Sequence, residues 1–179
     1  MKDIQTSLAG LMLVKPNPDR DASFAYSWFN SDHGRDTLLK MGNAQKHITT
    51  ATLEKEVATL EEFIDLEKSG KQLTWMMRID NKTVGAVWIE LYETEYLRSP
   101  AVHIMIGDIQ YRGQGIGKAS MNAMIDVAKN NLQATTIYSR HLSSNDIVIK
   151  LNSSLGFEMD GLPYTDVDGL TFQNVLKVL

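Results

Sequence analysis

The residues Arg112-Gly113-Gln114-Gly115-Ile116-Gly117-Lys118 place three glycines at alternate positions between two cations. Glycine lets a main chain approach a ligand with no Cβ in the way. Where a helix starts at such a loop, its first N–H groups have no partner inside the helix. The helix dipole adds partial positive charge, worth about 0.3–1 kcal/mol to an anion. The pattern is that of a seat for phosphate or diphosphate, with Arg112 and Lys118 adding charge at either end. A plain tight turn is the simpler alternative, and the flanking cations favour the anion seat over it. The elements needed to hold the loop are legible on both sides. Val102-His103-Ile104-Met105-Ile106 has the β-branched content of a buried strand. After the loop, Ile116, Ala119, Ala123 and Val127 recur at helical spacing and, with Met124 and Ala128, form an apolar helix face.

Two familiar anion loops fit poorly. A Walker loop needs glycine, four residues, then Gly-Lys-Ser/Thr. Counting back from Gly117-Lys118, its first position is Arg112, and Ala119 stands where a magnesium-binding hydroxyl belongs. A dinucleotide fingerprint needs G-x-G-x-x-G near the first strand. Here the spacing is G-x-G-x-G, and it comes late in the chain.

The loop resembles the acetyl-CoA diphosphate loop of the GNAT N-acetyltransferase superfamily, Q/R-x-x-G-x-G/A, with Arg112, Gly115 and Gly117 in the fixed positions. The lead-in Ile106 to Arg112 is similar too. A second match runs from Asn145 to Phe157, against the pattern N-x-x-A-x-x-x-Y-x-x-x-G-F. Leu155-Gly156-Phe157 fits its end, but Asn152 stands where the family has tyrosine. The resemblance is specific from about Ile104 to Phe157 and general over the rest. It implies an α/β (α+β) fold: a mixed, mostly antiparallel central sheet flanked by helices, with a splayed strand pair binding the cofactor. It also implies an acetyl-CoA-dependent N-acetyltransferase in which a primary amine attacks the thioester directly.

The resemblance assigns roles residue by residue. Main-chain N–H groups of Arg112, Gly113, Gln114, Gly115, Ile116, Gly117 and Lys118 meet the diphosphate. The main chains of Ile104, Met105 and Ile106 pair with the pantetheine arm, and an N–H there polarises the thioester carbonyl. Asn145 is expected at the pantetheine, and equally as a helix N-cap. Asn152 takes the place of the tyrosine that protonates the leaving sulfur; its NH₂ has no titratable proton but can donate a hydrogen bond. Simple cofactor contact is the alternative role for Asn152. An alkyl amine, with a pKa near about 10.4, must lose a proton before it attacks. Glu90, His103 and His141 are the candidate bases, with structural or surface roles as the alternative for each.

The substituted tyrosine keeps a second reading open, a non-catalytic acyl-CoA-binding or regulatory module on the same fold. An oxygen nucleophile or a longer acyl donor is a third. The acceptor is undetermined: small amine, aminoglycoside, polyamine and protein N-terminus all fit. Glu90, Glu93 and Glu95 hint at a cationic one.

With 179 residues, 43% apolar and 22% charged, the chain reads as a globular protein able to bury a core. It is expected to form a single domain over 1–179. A formal charge of -4 argues against general nucleic-acid binding. With no cysteine, thiolate metal sites and disulfides are excluded, and the four histidines lack short ligand spacing, so no metal is expected. The N-terminus has no signal-peptide pattern and no run is long enough to span a membrane, so the cytoplasm is the expected location. Expected partners are acetyl-CoA and an amine acceptor, without nucleic acid or membrane; a homodimer is compatible with this reading.

In chain order the pattern predicts a strand at 11–14, helices over 19–30 and 35–41, and a helix over 50–68 opened by Thr52. Phe24, Trp28 and Tyr26 are expected inside, as are Val57, Leu60, Phe63, Ile64 and Leu53. Strands at 73–79 and 83–91 are joined by Asp80-Asn81-Lys82. After the loop helix come a strand at 135–140, a helix at 146–155 ended by Gly156, and strands at 157–162 and 170–178 joined through 166–169.

Overall fold

The computed structural model describes residues 2–179. Strands β1 (Ile4–Gln5) and β2 (Met12–Val14) precede helices α1 (Pro18–Phe29), α2 (Gly34–Lys40) and α3 (Leu53–Lys68). Strands β3 (Gln72–Ile79), β4 (Lys82–Glu90) and β5 (Ala101–Ile106) lead to α4 (Ile116–Asn130). The chain ends with β6 (Thr136–Leu142), α5 (Asp146–Ser154), β7 (Glu158–Met159), β8 (Tyr164–Thr165) and β9 (Thr171–Val178).

Local chemistry sets the helix starts. Asn17 accepts from the N–H of Arg20 with Pro18 in the first turn of α1, and Thr52 accepts from the N–H of Lys55 at the start of α3. Gln45–His47 forms a short 3₁₀ turn between them. The turn from β3 to β4 is Asp80-Asn81 alone, both at positive φ (46° and 66°). That is the twist two-residue hairpins favour, so Lys82 already belongs to β4.

The sheet runs β1-β2-β3-β4-β5-β6-β9-β7, with β8 also paired to β9. Every pairing is antiparallel except β5 with β6. Parallel neighbours cannot share a tight turn, and α4 supplies the crossover between them. The expected mixed, mostly antiparallel sheet with flanking helices is therefore the observed one. Alternation of side chains gives the sheet two cores. Trp75, Met77, Val87, Ile89, Val102 and Ile137 face α4. Met76, Ala86 and Met105 face α1 and α3, packing with Ala22, Trp28 and Leu60. Burial of each large side chain contributes about 1.5–3 kcal/mol.

Several predicted details differ. Leu53 is 50% exposed and Tyr26 lies on the surface, so neither belongs to a buried stripe. Strand β1 was not expected. The strand expected at 157–162 is reduced to β7, and β8 forms beyond its expected end, after a segment with Gly161 at positive φ. Strand β6 extends to Leu142, which places His141 inside it.

Candidate active site

Strands β5 and β6 meet at one register pair, Ala101 with Tyr138. There the N–H of Tyr138 donates to the Pro100 carbonyl (2.9 Å) and Ser139 Oγ donates to the Val102 carbonyl (2.8 Å). Beyond that point the strands part. The Val102 and Ile106 carbonyls both open toward β6, the second taken by Arg112. Strand alternation turns the main-chain N–H and C=O of Ile104, between them, the same way and without a strand partner. A cavity of about 530 Å³ fills the space between the wings, bounded by β5, β6, α5 and the loop before α4.

Of the three main chains expected at the opening, that of Ile104 is bare in both its N–H and its C=O among the described residues. The carbonyl of Ile106 is occupied, and Met105 turns its main chain to Ala86 on β4.

The glycine loop closes the far end of the cavity. Asp108 caps a short 3₁₀ turn, Ile109–Tyr111, and Gly113 and Gly115 follow at φ 77° and 80°. L-residues avoid this left-handed region, which explains glycine at both positions. Gly115 caps α4 with no side chain over the helix end. Among the described residues, no group accepts from the main-chain N–H of residues 113–118. Gly117 is different. Its φ is ordinary, and a Cβ there would sit at van der Waals distance from Leu151, Ile104 and Ile106 (3.5, 3.7 and 3.7 Å).

Of the two flanking cations, both in the cavity wall, Lys118 has no side-chain partner among the described residues. The Arg112 guanidinium is committed within the protein. Its Nε and one terminal nitrogen donate to the Ile106 carbonyl (3.0 and 2.8 Å), and that nitrogen also donates to Thr37 Oγ1 (2.8 Å). Burial pushes the Arg112 guanidinium below its ordinary value, against the opposing charges of Asp36 and Asp108. Arg112 therefore braces the loop through these donors, while its charge, met there only by neutral oxygens, still borders the cavity.

Asn145 and Asn152 both line the cavity. Asn145 is the N-cap of α5: its side-chain oxygen accepts from the N–H of Val148 (3.4 Å), and its NH₂ donates to the Lys40 carbonyl (2.9 Å). Asn152 is 3% exposed, and its Nδ2 has no partner among the described residues. A buried amide NH₂ left without an acceptor is costly, which makes this atom a candidate donor to a group held in the cavity.

On the sheet face opposite α4, Trp88 and His103 are cross-strand partners with stacked rings, centroids 5.3 Å apart. His103 Nε2 lies 3.4 Å from Glu90 Oε2, an ion-pair distance without hydrogen-bond alignment. Burial works to raise the Glu90 carboxyl, but His103, then Trp88 and Arg140, outweigh it and hold the group below its ordinary value. His103 borders the cavity directly, and Glu90 stands behind it. His141 also borders the cavity, on the opposite face of the sheet, with Nδ1 at the Leu142 carbonyl (3.1 Å).

Two features escaped the sequence reading. Arg140, on β6, faces the same side as His103, since Ile137 and its alternates face α4. The other is the segment from α2 through the 3₁₀ turn, which crosses the cavity like a strap. Thr37 joins it to Arg112, the Lys40 carbonyl joins it to Asn145, and Lys46 and His47 reach Asp168 (2.6 and 3.1 Å). Gly42 lies so close to the Phe172 ring that a Cβ would meet it at 2.6 Å. The sequence over 31–48 gives no sign of these contacts, whose partners lie far away in the chain.

Among the described residues no group of three or more His, Asp or Glu side chains is placed to hold a metal ion, and no helix is long and apolar enough to cross a membrane.

Solved structures share this fold. The microcin C7 self-immunity acetyltransferase MccE, in complex with acetyl-CoA and AMP, superposes with a TM-score of 0.79 at 15% identity, over 96% of this chain and 94% of that one. RimL, the ribosomal L7/L12 α-N-protein acetyltransferase in complex with coenzyme A, gives 0.80 at 12% identity over 98% of each chain. RimJ from Mycobacterium smegmatis, with CoA-disulfide, gives 0.81 at 18% identity over 98% of this chain and 87% of that one. At such identities the likeness is one of fold. No curated protein matches the sequence. The profile of the acetyltransferase (GNAT) domain matches residues 10–158, most of the chain. This protein belongs to the GNAT acetyltransferase family.

Proposed function

We propose that the chain, as one domain over 1–179, transfers an acetyl group from acetyl-CoA to a primary amine by direct attack on the bound thioester. The observation that carries this reading is the row of free main-chain N–H groups at residues 113–118, closing a cavity that runs along the bare edge of β5. Three features fit a coenzyme A donor: those amides for a diphosphate, the open main chain of Ile104 for an amide-rich arm, and the orphaned Asn152 Nδ2 deeper in the cavity. The MccE and RimL structures hold acetyl-CoA and coenzyme A in the same fold, which supports the choice of donor.

Bound there, acetyl-CoA supplies an acyl group already activated as a thioester. Ile104 orients it by main-chain hydrogen bonds, and its N–H is aimed where negative charge develops on the carbonyl oxygen. His103 takes the proton that the ammonium must lose. The Glu90 carboxylate, 3.4 Å away, faces the positive charge that then develops on the imidazole. Asn152 Nδ2 donates a hydrogen bond to the departing sulfur. A thiol pKa of about 8.5 makes thiolate a fair leaving group near neutral pH, so a tyrosine acid is dispensable. The acidic composition suits a cytoplasmic protein without a nucleic-acid or membrane partner.

Calorimetric titration with acetyl-CoA, followed by thiol release over a panel of amines, tests the proposal. Saturable binding with sustained turnover is the expected result. No binding at high micromolar donor overturns it, and binding without turnover on any amine leaves only a non-catalytic acyl-CoA module.

A further inference from the structure

The acceptor side of the cavity carries charges of both signs. His103, with Glu90 behind it, forms one end. Arg140 forms the other, half-buried in the cavity wall, its guanidinium 4.9 Å above the Phe172 ring. One terminal nitrogen of Arg140 lies 3.4 Å from Tyr164 Oη, a long hydrogen bond to a neutral group. Other buried or bridging arginines here are satisfied within the protein. Arg98 binds both oxygens of Asp160 (2.6 Å each), Arg20 is paired with Asp21 (2.7 Å), and Arg112 donates to the Ile106 carbonyl and Thr37 Oγ1. Arg140 has no ion-pair partner among the described residues. A guanidinium is always charged, and a partly desolvated one seeks a planar oxyanion it can grip with two N–H groups. The ring of Phe172 and the hydroxyl of Tyr164 hold it in place without neutralising it.

His103 and Arg140 both border the cavity on this face of the sheet, and the Arg140 charge is near enough to act on the Glu90 carboxyl behind His103. Resting on the transferase reading above, we infer that the acceptor is an amine carrying an anionic group, carboxylate or phosphate, a few bonds from its nitrogen, and that Arg140 is the residue that binds this group. The ammonium then lies toward Glu90 and His103, where it loses its proton, and the oxyanion lies against Arg140. Polyamines and aminoglycosides, cationic throughout, place a second positive charge against Arg140 and are disfavoured.

The experiment compares thiol release with glycine, 2-aminoethyl phosphate, glycinamide, ethylamine and putrescine, and repeats the series with Arg140→Gln and Arg140→Lys. The expected result is a kcat/KM about tenfold to a hundredfold higher for an anionic amine than for its neutral counterpart, the range of a charge-assisted hydrogen bond. Arg140→Gln brings the anionic-to-neutral ratio of kcat/KM down toward one, chiefly through KM, and Arg140→Lys restores part of it; a ratio unchanged in Arg140→Gln overturns the inference. The glycine and aminoethyl phosphate arms separate carboxylate from phosphate recognition. Calorimetric binding of N-acetylglycine against N-acetylglycinamide reads the same preference without turnover. Neutral or dicationic amines equal to or better than anionic ones in the parent protein overturn the inference while leaving the transferase reading intact. Failure of acetyl-CoA itself to bind strikes the transferase reading instead.

Discussion

Ser139 Oγ donates to the Val102 carbonyl across 2.8 Å at the point where β5 and β6 separate, and no strand pairing follows it. Both residues are buried. Ser139→Ala leaves that carbonyl without a donor, a loss of about 1–3 kcal/mol. The expected outcome is a lower urea midpoint with an unchanged m-value, together with weaker acetyl-CoA binding. Equal midpoints for variant and parent would show that the apex holds without this bond.

Gly115 and Gly117 separate conformation from binding. Gly115→Ala forces an alanine to φ 80°, at a cost of about 1–2 kcal/mol. Gly117→Ala meets only ordinary contacts and should melt within about 0.5 kcal/mol of the parent. Its methyl nevertheless sits on the cavity wall. Calorimetry should therefore show a clear loss of acetyl-CoA affinity in Gly117→Ala with little loss of stability. Unchanged affinity in both variants would remove the loop from the donor site.

In the proposed mechanism His103 and Asn152 serve different stages. His103→Gln should lower kcat by about a hundredfold or more, the usual contribution of a positioned base, and leave acetyl-CoA affinity unchanged. Asn152→Ala should lower kcat by about tenfold, as expected for one hydrogen bond to the leaving group. Single-turnover measurements with a saturating amine distinguish these from effects on product release. Full activity in His103→Gln would transfer the base role elsewhere.

Two carboxyls give opposite pH signatures. The Glu90 carboxyl is held low in the folded protein, so its contribution to stability is present above the unfolded value, about 4.3, and is lost as pH falls through the folded value. Burial raises Glu56, with only Lys55 opposing it. Its contribution is present below the unfolded value and lost as pH rises through the folded one. Glu90→Gln should therefore be less stable than the parent at neutral pH, and Glu56→Gln more stable. Both differences should shrink on acidification toward about pH 3.5, measured by denaturant unfolding at each pH.

The sequence was informative where local rules decide the outcome. The glycine loop is dictated by backbone conformation, and Gly113 and Gly115 adopt the positive φ their type allows. Thr52 and Asn145 cap the helices they were expected to open. The strand meander from β3 to β5 followed from β-branched runs and turn residues. Illegible parts depend on contacts far apart in sequence. Nothing near Arg112 says that its guanidinium will turn back to Ile106 and across to Thr37. Arg140 reads as an ordinary polar residue of a half-buried strand until β9 brings Phe172 beneath it. Short strands such as β1 and β8 exist through pairing with β2 and β9, not through propensity of their own.

The segment from α2 to the 3₁₀ turn is bolted to the glycine loop by Thr37, to α5 by the Lys40 carbonyl, and to the β8–β9 hairpin by Lys46 and His47. Such a tie-bar between two diverging walls resists their hinging. The gauge of the slot is thus fixed by the protein's own bonds before any donor arrives, so little of the binding free energy goes into prying it open or drawing it shut.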